Sequence, residues 1–94
     1  MKNEVEIKVD KAITGLAGYD YGKKIYTEQV KGKINFSEDF TFIFPNNVQR
    51  IASSFIQGFF EDIMAQIGVA GIERQLNVIS ANNNLKRVII QNLV

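Results

Sequence analysis

Two adjacent serines, Ser53 and Ser54, have the side chains best placed in this chain to carry chemistry. They follow a short apolar run at residues 40–44 and precede a long apolar stretch, which predicts a strand, a loop and then a helix. A serine hydroxyl at a helix start can cap the helix, accept a phosphate or act as a nucleophile. The nucleophile needs a base, and the chain has no histidine, so we expect a non-enzymatic protein.

The first of these roles, capping, fits Ser54. With Gln57 it matches the capping box, in which a hydroxyl and a carboxamide each bind an unpaired amide of the first helical turn. Ser53 would then lie one residue outside the helix, at the edge of an open α/β sheet where ligands and partners bind. A phosphate on Ser53 would add about −1.5 to −2 charges there. Ser53 is therefore the candidate phospho-acceptor.

The composition is that of a single ordinary globular domain. Its 94 residues suffice for one hydrophobic core and not for two, so we predict one domain spanning residues 1–94. The net charge of +1 comes from basic and acidic residues scattered along the chain, which argues against a nucleic-acid partner. No apolar run approaches the ~18 residues that would suggest a membrane span, so no membrane partner is expected.

The absence of both cysteine and histidine removes the usual ligands of a zinc site. We therefore predict no metal site, and no motif in the chain indicates a cofactor. The lack of cysteine also fits a cytoplasmic protein, because disulfide frameworks belong to oxidising compartments. Residues 1–4 do not begin a signal peptide, which agrees with that localisation.

Three stretches predict strands. Residues 4–10 alternate charged and β-branched side chains, as in a half-buried strand at the outside of a sheet. Its covered face would carry Val5, Ile7 and Val9. Residues 40–44 are almost wholly apolar, which predicts a central strand covered on both faces. Residues 76–79 are the third candidate.

Three helices are predicted between and after these strands. The first covers residues 20–31 and ends at Gly32. The second carries a broad apolar stripe and is stopped by Gly68 and Gly71. The stripe consists of Ile56, Phe59, Phe60, Ile63 and Ile67, widened by Phe55 and Met64. The third follows an asparagine-rich turn at residues 80–84. Its apolar face holds Leu85, Val88, Ile89 and Leu93.

The alternation of strands and helices predicts the α/β class, with a small, mainly parallel or mixed sheet of about four strands and three helices. The N-terminal strand fits a parallel and an antiparallel placement equally well. Before the first helix, residues 12–22 contain three glycines, Gly15, Gly18 and Gly22. Their spacing matches no phosphate-binding motif, which favours a flexible loop entering the helix over a phosphate-cradling loop.

The run at residues 48–56, which contains both serines, resembles the switch region of STAS domains, the sulfate-transporter and anti-sigma-factor-antagonist domains. It is more similar still to the compact bacterial STAS-like domain of unknown function. That family has a strand, two or three serines and a helix containing phenylalanine. Residues 21–24 resemble the start of its upstream helix, and residues 76–94 resemble its closing strand, turn and helix. The resemblance covers residues 4–94 and implies a STAS-like fold.

In anti-sigma-factor antagonists, a partner kinase with an ATPase-type fold phosphorylates the first serine of the switch region, and this controls partner binding. The resemblance implies this role for Ser53 and a regulatory partner such as a histidine-kinase-like ATPase. Ala52 stands where those proteins have an aspartate, and Phe55 where a glycine usually follows the serines. The bulk of Phe55 would add apolar area to a protein contact.

We therefore expect a non-enzymatic regulatory protein-interaction module, and a homodimer through the helix faces is compatible with it. The expected partner-binding edge consists of Asn46, Asn47, Arg50, Ser53, Ser54 and Phe55. One alternative is a nucleotide or small-anion binding domain that uses the loop amides with Lys23, Lys24 or Arg50. Another is an enzyme with Ser53 as nucleophile, which would need a lysine or a carboxylate as its base.

Overall fold

The computed structural model describes residues 2–94, which form five short strands and four helices. The strands are β1 (Glu4–Glu6), β2 (Gly15–Leu16), β3 (Phe40–Ile43), β4 (Arg50–Ile51) and β5 (Leu76–Ile79). The helices are α1 (Tyr19–Ile25), α2 (Ser53–Phe59), α3 (Glu61–Gln75) and α4 (Leu85–Gln91), and a π-helical turn, Tyr26–Val30, extends α1. The predicted α/β class is confirmed.

The strands form two separate parallel sheets. The larger sheet has the order β1-β3-β5, and β2 pairs with β4 in a two-stranded ribbon. The prediction of about four strands in one sheet with three helices is therefore right only in its parallel pairing. The N-terminal strand, whose direction was open, runs parallel to β3 at the edge of the larger sheet, with Val5 beside Phe42.

Several predicted elements appear where the sequence patterns put them. The central position of β3 and the bounds of β5 agree with the predictions for residues 40–44 and 76–79. The first strand, predicted over residues 4–10, ends at Glu6. Of its predicted covered face, Ile7 is buried, and Val5 and Val9 are partly buried against the core. The first helix and its π-helical turn end at Val30, and Gly32 follows with φ +80°, the left-handed conformation expected after a helix end.

The larger sheet is covered on one face only, so the prediction that β3 is covered on both faces is wrong. Phe40 and Phe42 are buried, whereas Thr41 and Ile43 on the opposite face are partly exposed. On β5 the same outer face carries Ile79, which is 56% exposed. An apolar run of this length does not by itself show whether its second face has a covering layer.

The covered face is a layer of aromatic side chains that joins β3 to α2 and α3. The ring of Phe42 lies edge-on to Phe59, with centroids 5.3 Å apart, and 6.0 Å from that of Phe60. Phe55 stacks on Phe59 at 5.6 Å. Aromatic pairs at these distances add to the stabilisation that comes from burying the rings. The apolar stripe predicted for the second helix is therefore confirmed as the core-facing surface.

The second helix departs from the prediction in its length and continuity. It is interrupted at Phe60, which separates α2 from α3, and α3 bends at Gly68, where φ is +67° and ψ is 174°. The prediction that Gly68 stops the helix is right only in the break at that residue, because the chain resumes a helix and continues to Gln75. Gly71 is a buried residue within this last segment and not a turn, so that prediction is wrong.

A second correction concerns residues 12–22, which are more than a loop before a helix. Gly15 and Leu16 form β2, whose backbone pairs with Arg50 and Ile51 of β4. The helix begins at Tyr19, so the last of the three glycines, Gly22, is a helical residue. The pairing partner of β2 lies far along the chain, and a two-residue strand leaves no periodic pattern from which to predict it.

Helices α1 and α2 are in close contact at two glycines, Gly22 of α1 and Gly58 of α2. Each glycine lies against the backbone of the other helix. A methyl group on Gly58 would collide with the carbonyl group of Tyr19 and would lie 3.1 Å from the Lys23 amide nitrogen. A methyl group on Gly22 would collide with the Phe55 carbonyl group and would lie 2.9 Å from the Phe59 amide nitrogen. Only glycine permits this approach, because the obstructing atoms belong to the backbone and cannot rotate away.

This contact predicts that Gly58→Ala and Gly22→Ala each destabilise the fold. Helix propensity alone favours alanine over glycine by about 1 kcal/mol, so a net loss would come from the contact. We expect each variant to lower the free energy of unfolding by about 1–3 kcal/mol, as overpacking does. Urea denaturation measures this change.

The matched control is Gly15→Ala, because a methyl group there would meet its nearest atom, the Arg50 carbonyl oxygen, at an ordinary 3.7 Å. It should change stability by less than about 0.5 kcal/mol. Equal stability of the Gly58→Ala variant and the native chain would show that α1 and α2 are not in backbone contact.

Candidate functional site

The serine pair lies at the start of α2, but the predicted capping box does not form. The helix begins at Ser53, and the residue before it, Ala52, is extended with φ −75° and ψ 155° and provides no side-chain cap. The Ala52 N–H donates to the Leu16 carbonyl oxygen at 2.7 Å. This hydrogen bond extends the pairing of the β2–β4 ribbon by one residue and keeps Ala52 extended. The N-cap is Ala52 and not Ser54, so the helix starts two residues earlier than the capping pattern requires, and Ser54 lies inside it.

Ser54 and Gln57 instead connect α2 to neighbouring elements. The Ser54 hydroxyl oxygen accepts a hydrogen bond from the Gly18 N–H at 2.9 Å, immediately before α1 begins. The Gln57 side chain donates to the Asn92 carbonyl oxygen at 2.5 Å, immediately after α4 ends. These contacts join the ends of three helices, so both residues have roles that the local pattern did not predict.

Ser53 is exposed at the first position of α2, next to the hydrogen-bonded Ser54. The prediction that it would lie outside the helix is wrong, for the same reason that the capping box fails. Its side chain remains accessible at the edge of the fold where α2 follows β4. Both serines are exposed, and they differ in that the Ser54 hydroxyl oxygen accepts a hydrogen bond from the Gly18 amide.

Two of the predicted partner-binding residues have structural roles in this arrangement. The Asn47 side chain donates to the carbonyl oxygens of Ile13 at 2.6 Å and Asp10 at 3.2 Å, so it holds the segment between β1 and β2. Phe55 is only 1% exposed and packs against Tyr21 with ring centroids 5.7 Å apart. The structure therefore places Phe55 in the core and not on a partner-binding surface, as a correction to the sequence-based expectation.

The remaining predicted residues are exposed. Asn46 lies in the turn after β3, and Arg50 lies in β4. Arg50 also lines an open cleft of about 520 Å³ between the β2–β4 ribbon and α4. The apolar walls of the cleft come from Leu16, Ile51, Leu85 and Val88. Asn82 borders the cleft and is held by a 3.1 Å hydrogen bond to the Gln49 carbonyl oxygen.

The sequence did not predict the cleft, because one of its walls is the strand β2, which was itself not predicted. The available signal was the glycine-rich stretch at residues 12–22, which in hindsight marks a place where backbones approach closely. Lys23 and Lys24 line a different depression, beside Asp20 and Glu28. The structure thus does not bring these lysines together with Arg50 in one anion site.

Lys23 belongs to an exposed cluster that connects α1 to the start of α3. Its ammonium group and the Tyr19 hydroxyl both donate to Oε2 of Glu61, each at 2.5 Å. The hydrogen bond from Lys23, followed by that from Tyr19, lowers the pKa of the Glu61 carboxyl group. The same contacts with Glu61 raise the pKa of Lys23 and that of Tyr19. The cluster therefore favours the ionised carboxylate and the protonated lysine.

Within the described part of the chain, no three His, Cys, Asp or Glu side chains are grouped so that they could hold a metal ion. No helix among residues 2–94 has the length and apolar character to cross a bilayer. Comparison of the chain with protein-family models, curated proteins and solved structures finds no match. The resemblance of residues 48–56 to a STAS switch region therefore stays a prediction.

The Glu61 cluster predicts a pH-dependent contribution to stability. Because the pKa of Glu61 is lowered in the folded chain from its ordinary value of 4.5, the unfolded chain binds the proton first as the pH falls. The contribution is thus present above about pH 4.5 and is lost on acidification through the folded pKa. We expect Glu61→Gln to be less stable than the native chain near neutral pH, with the difference closing at acid pH.

Urea denaturation at a series of pH values measures this difference. The control is Glu73→Gln, which changes another exposed glutamate of the same helix. A gap between the native chain and Glu61→Gln that stays constant from neutral to acid pH would contradict the ion-pair interpretation.

Proposed function

We propose that this chain is a non-enzymatic regulatory module that binds a partner protein beside the start of α2, and that phosphorylation of Ser53 controls the binding. The observation that carries the proposal is the division of roles in the serine pair. Both serines are exposed, but the Ser54 hydroxyl oxygen accepts a hydrogen bond from the Gly18 amide, whereas the Ser53 hydroxyl has no such contact among residues 2–94. A hydroxyl in that position is accessible to a kinase without unfolding of the helix.

The surroundings of Ser53 support a switch, because the residues on both sides of it make hydrogen bonds to other elements of the fold. On one side, Ala52 is bonded to Leu16 of the ribbon, and on the other, Ser54 is bonded to Gly18 before α1. A phosphate on Ser53 would place about −1.5 to −2 charges between these contacts. The added charge would alter both the local field and the hydrogen bonding that sets the positions of α1 and the ribbon.

The surface close to this point in the chain has the composition of an interaction site. The cleft beside β4 has apolar walls, and the exposed Arg50 and the partly buried Asn82 border it. Protein interfaces commonly combine an apolar centre with a polar rim, and arginine is enriched in them. A partner that offers an apolar side chain and an acidic group would suit this surface. The resemblance described above makes a histidine-kinase-like ATPase the first candidate.

The proposal predicts that a negative charge at residue 53 weakens partner binding. Baits for a pull-down from native-cell extract are the native chain, Ser53→Ala and Ser53→Asp. The intact mass of the native protein that is recovered shows whether it carries a phosphate. We expect the native and Ala baits to retain the same partner. The Asp bait should bind at least about tenfold more weakly, because like charges brought together in an interface cost several kcal/mol.

Ser37→Asp is the control for added charge, since Ser37 is an exposed serine in the loop before β3. Thermal melting of each bait verifies that it is folded. Equal partner binding by the native, Ala and Asp baits, together with no phosphate on the recovered protein, would contradict the proposal.

A second candidate function is suggested by the volume of the cleft. At about 520 Å³ it lies within the range of small-molecule sites, and Arg50 supplies one cation at an otherwise largely apolar site. A nucleotide fits this combination, with its base against the apolar wall and a phosphate on the guanidinium group. The ligand would then use Arg50 without Lys23 or Lys24, which line another depression.

This candidate predicts stabilisation by ligand that depends on Arg50. A nucleotide present at a hundred times its dissociation constant should raise the free energy of unfolding by about 2.7 kcal/mol. Arg50→Gln should lose most of that gain, and Arg87→Gln, an exposed arginine of α4, should keep it. Thermal melting against a panel of nucleotides and inorganic phosphate measures the effect. An unmoved melting temperature, or an equal shift in Arg50→Gln, counts against this candidate.

A further inference from the structure

The two outer edges of the larger sheet differ in how well they are protected against pairing with another strand. At the edge formed by β1 (Glu4–Glu6), the side chain of Gln29 binds the backbone of Lys8, two residues beyond the end of the strand, as a further strand would. The Lys8 N–H donates to its Oε1 at 2.7 Å, and its Nε2 donates to the Lys8 carbonyl oxygen at 2.8 Å. Glu4 and Glu6 add charge to the same strand. Proteins protect edge strands against pairing with other chains by devices of this kind.

At the β5 edge, the Leu76 N–H is bonded to the Ile72 carbonyl oxygen at the end of α3, which leaves Val78 as the residue without such protection within residues 2–94. The Phe44 N–H donates to the Ile79 carbonyl oxygen at 2.9 Å, so the backbone of Ile79 faces β3. Neighbouring residues of a strand direct their backbone groups to opposite sides, and the Val78 N–H and carbonyl therefore point away from β3. No strand of the described chain pairs on that side.

The side chains of β5 also favour pairing. The strand reads Leu-Asn-Val-Ile and contains no charged residue, proline or glycine. Ile79 is 56% exposed on the uncovered face of the sheet. Edge strands that remain unpaired usually carry charged residues or proline, and an exposed apolar residue such as Ile79 is unusual on them.

We propose that β5 is a dimerisation edge, which pairs antiparallel with β5 of a second copy of this chain. A two-fold axis beside Val78 would let Val78 of each copy donate to and accept from Val78 of the other. The larger sheets of the two copies would then join into one continuous sheet. This inference does not depend on the role proposed for Ser53, and it uses a sheet edge where the sequence suggested only helix faces.

The occupant is a second copy because the edge is complementary to itself. In the antiparallel register, Ile79 of one copy lies opposite Asn77 of the other and diagonal to the second Ile79, within reach of apolar contact. Neither exposed side chain carries a charge that the same charge in the other copy would repel. The same operation at the β1 edge would bring Glu4 and Glu6 towards their own copies, which costs free energy.

The size of the edge sets the strength of the dimer. A four-residue strand edge buries less than the 1,200 Å² or so that stable complexes bury in total. We therefore expect a reversible dimer with a dissociation constant in the micromolar to millimolar range. At protein concentrations below that constant, the chain should be a monomer. A weak edge contact of this kind can also be strengthened by a partner that binds two copies at once.

The first test compares two neighbouring amide protons by NMR hydrogen exchange at a series of protein concentrations, with sedimentation equilibrium on the same samples. The Val78 amide should exchange about tenfold more slowly in concentrated than in dilute protein, following the dimer fraction. The Ile79 amide, which faces β3, should not change with concentration. A chain that stays monomeric into the millimolar range would overturn the proposal, as would a dimer whose Val78 amide exchanges equally fast at all concentrations.

The second test adds charge to the edge. Asn77→Lys combined with Ile79→Lys places lysines opposite one another across the two-fold axis, and the dimer should weaken at least about tenfold. Glu6→Lys is the control, because it adds a lysine on the same face of the sheet at the other edge strand. Undiminished dimerisation of the double variant would overturn the proposal. If that variant fails to fold, the exchange comparison still decides, because it uses the native chain alone.

Discussion

The contact between α1 and α2 at Gly22 and Gly58 is the constraint on which the rest of this small fold depends. Because each glycine lies against the backbone of the opposite helix, the two helices approach more closely than any side chain would allow. That approach brings the start of α2 to Gly18, where the Ser54 hydroxyl accepts the Gly18 amide. The hydrogen bond between Ser54 and Gly18, next to Ser53, is therefore a consequence of how the two helices pack.

The aromatic packing lies on one face of the larger sheet only. Aromatic side chains of α2 and the start of α3, Phe59 and Phe60, lie on the phenylalanine face of β3, and residues on its other face remain partly exposed. The fold thus offers two separate surfaces. One is the edge beside the start of α2, with its cleft and exposed serine, and the other is the uncovered sheet that ends at β5.

Local patterns predicted the parts of the structure that depend on local periodicity. The strand at residues 76–79 and the apolar stripe of the second helix follow from alternation and helical spacing, which a single sequence displays directly. The β2–β4 ribbon and the bond from Gly18 to Ser54 join residues more than thirty positions apart, and no local pattern records them. The capping box failed for that reason, since the ribbon holds Ala52 extended and shifts the helix start. Gly58 did carry a signal, because a glycine inside a strongly apolar helix usually has a packing reason.

The central claim, that two glycines hold α1 and α2 in backbone contact, is tested most directly by nuclear Overhauser effects in the native chain. Backbone contact between the helices predicts strong cross-peaks between the Gly22 Hα protons and the Phe59 amide proton, and between the Gly58 Hα protons and the Lys23 amide proton. Gly22 and Gly58 Hα protons with cross-peaks only to residues of their own helices would contradict it. The Ser53 edge would then lack the support from which its role is argued.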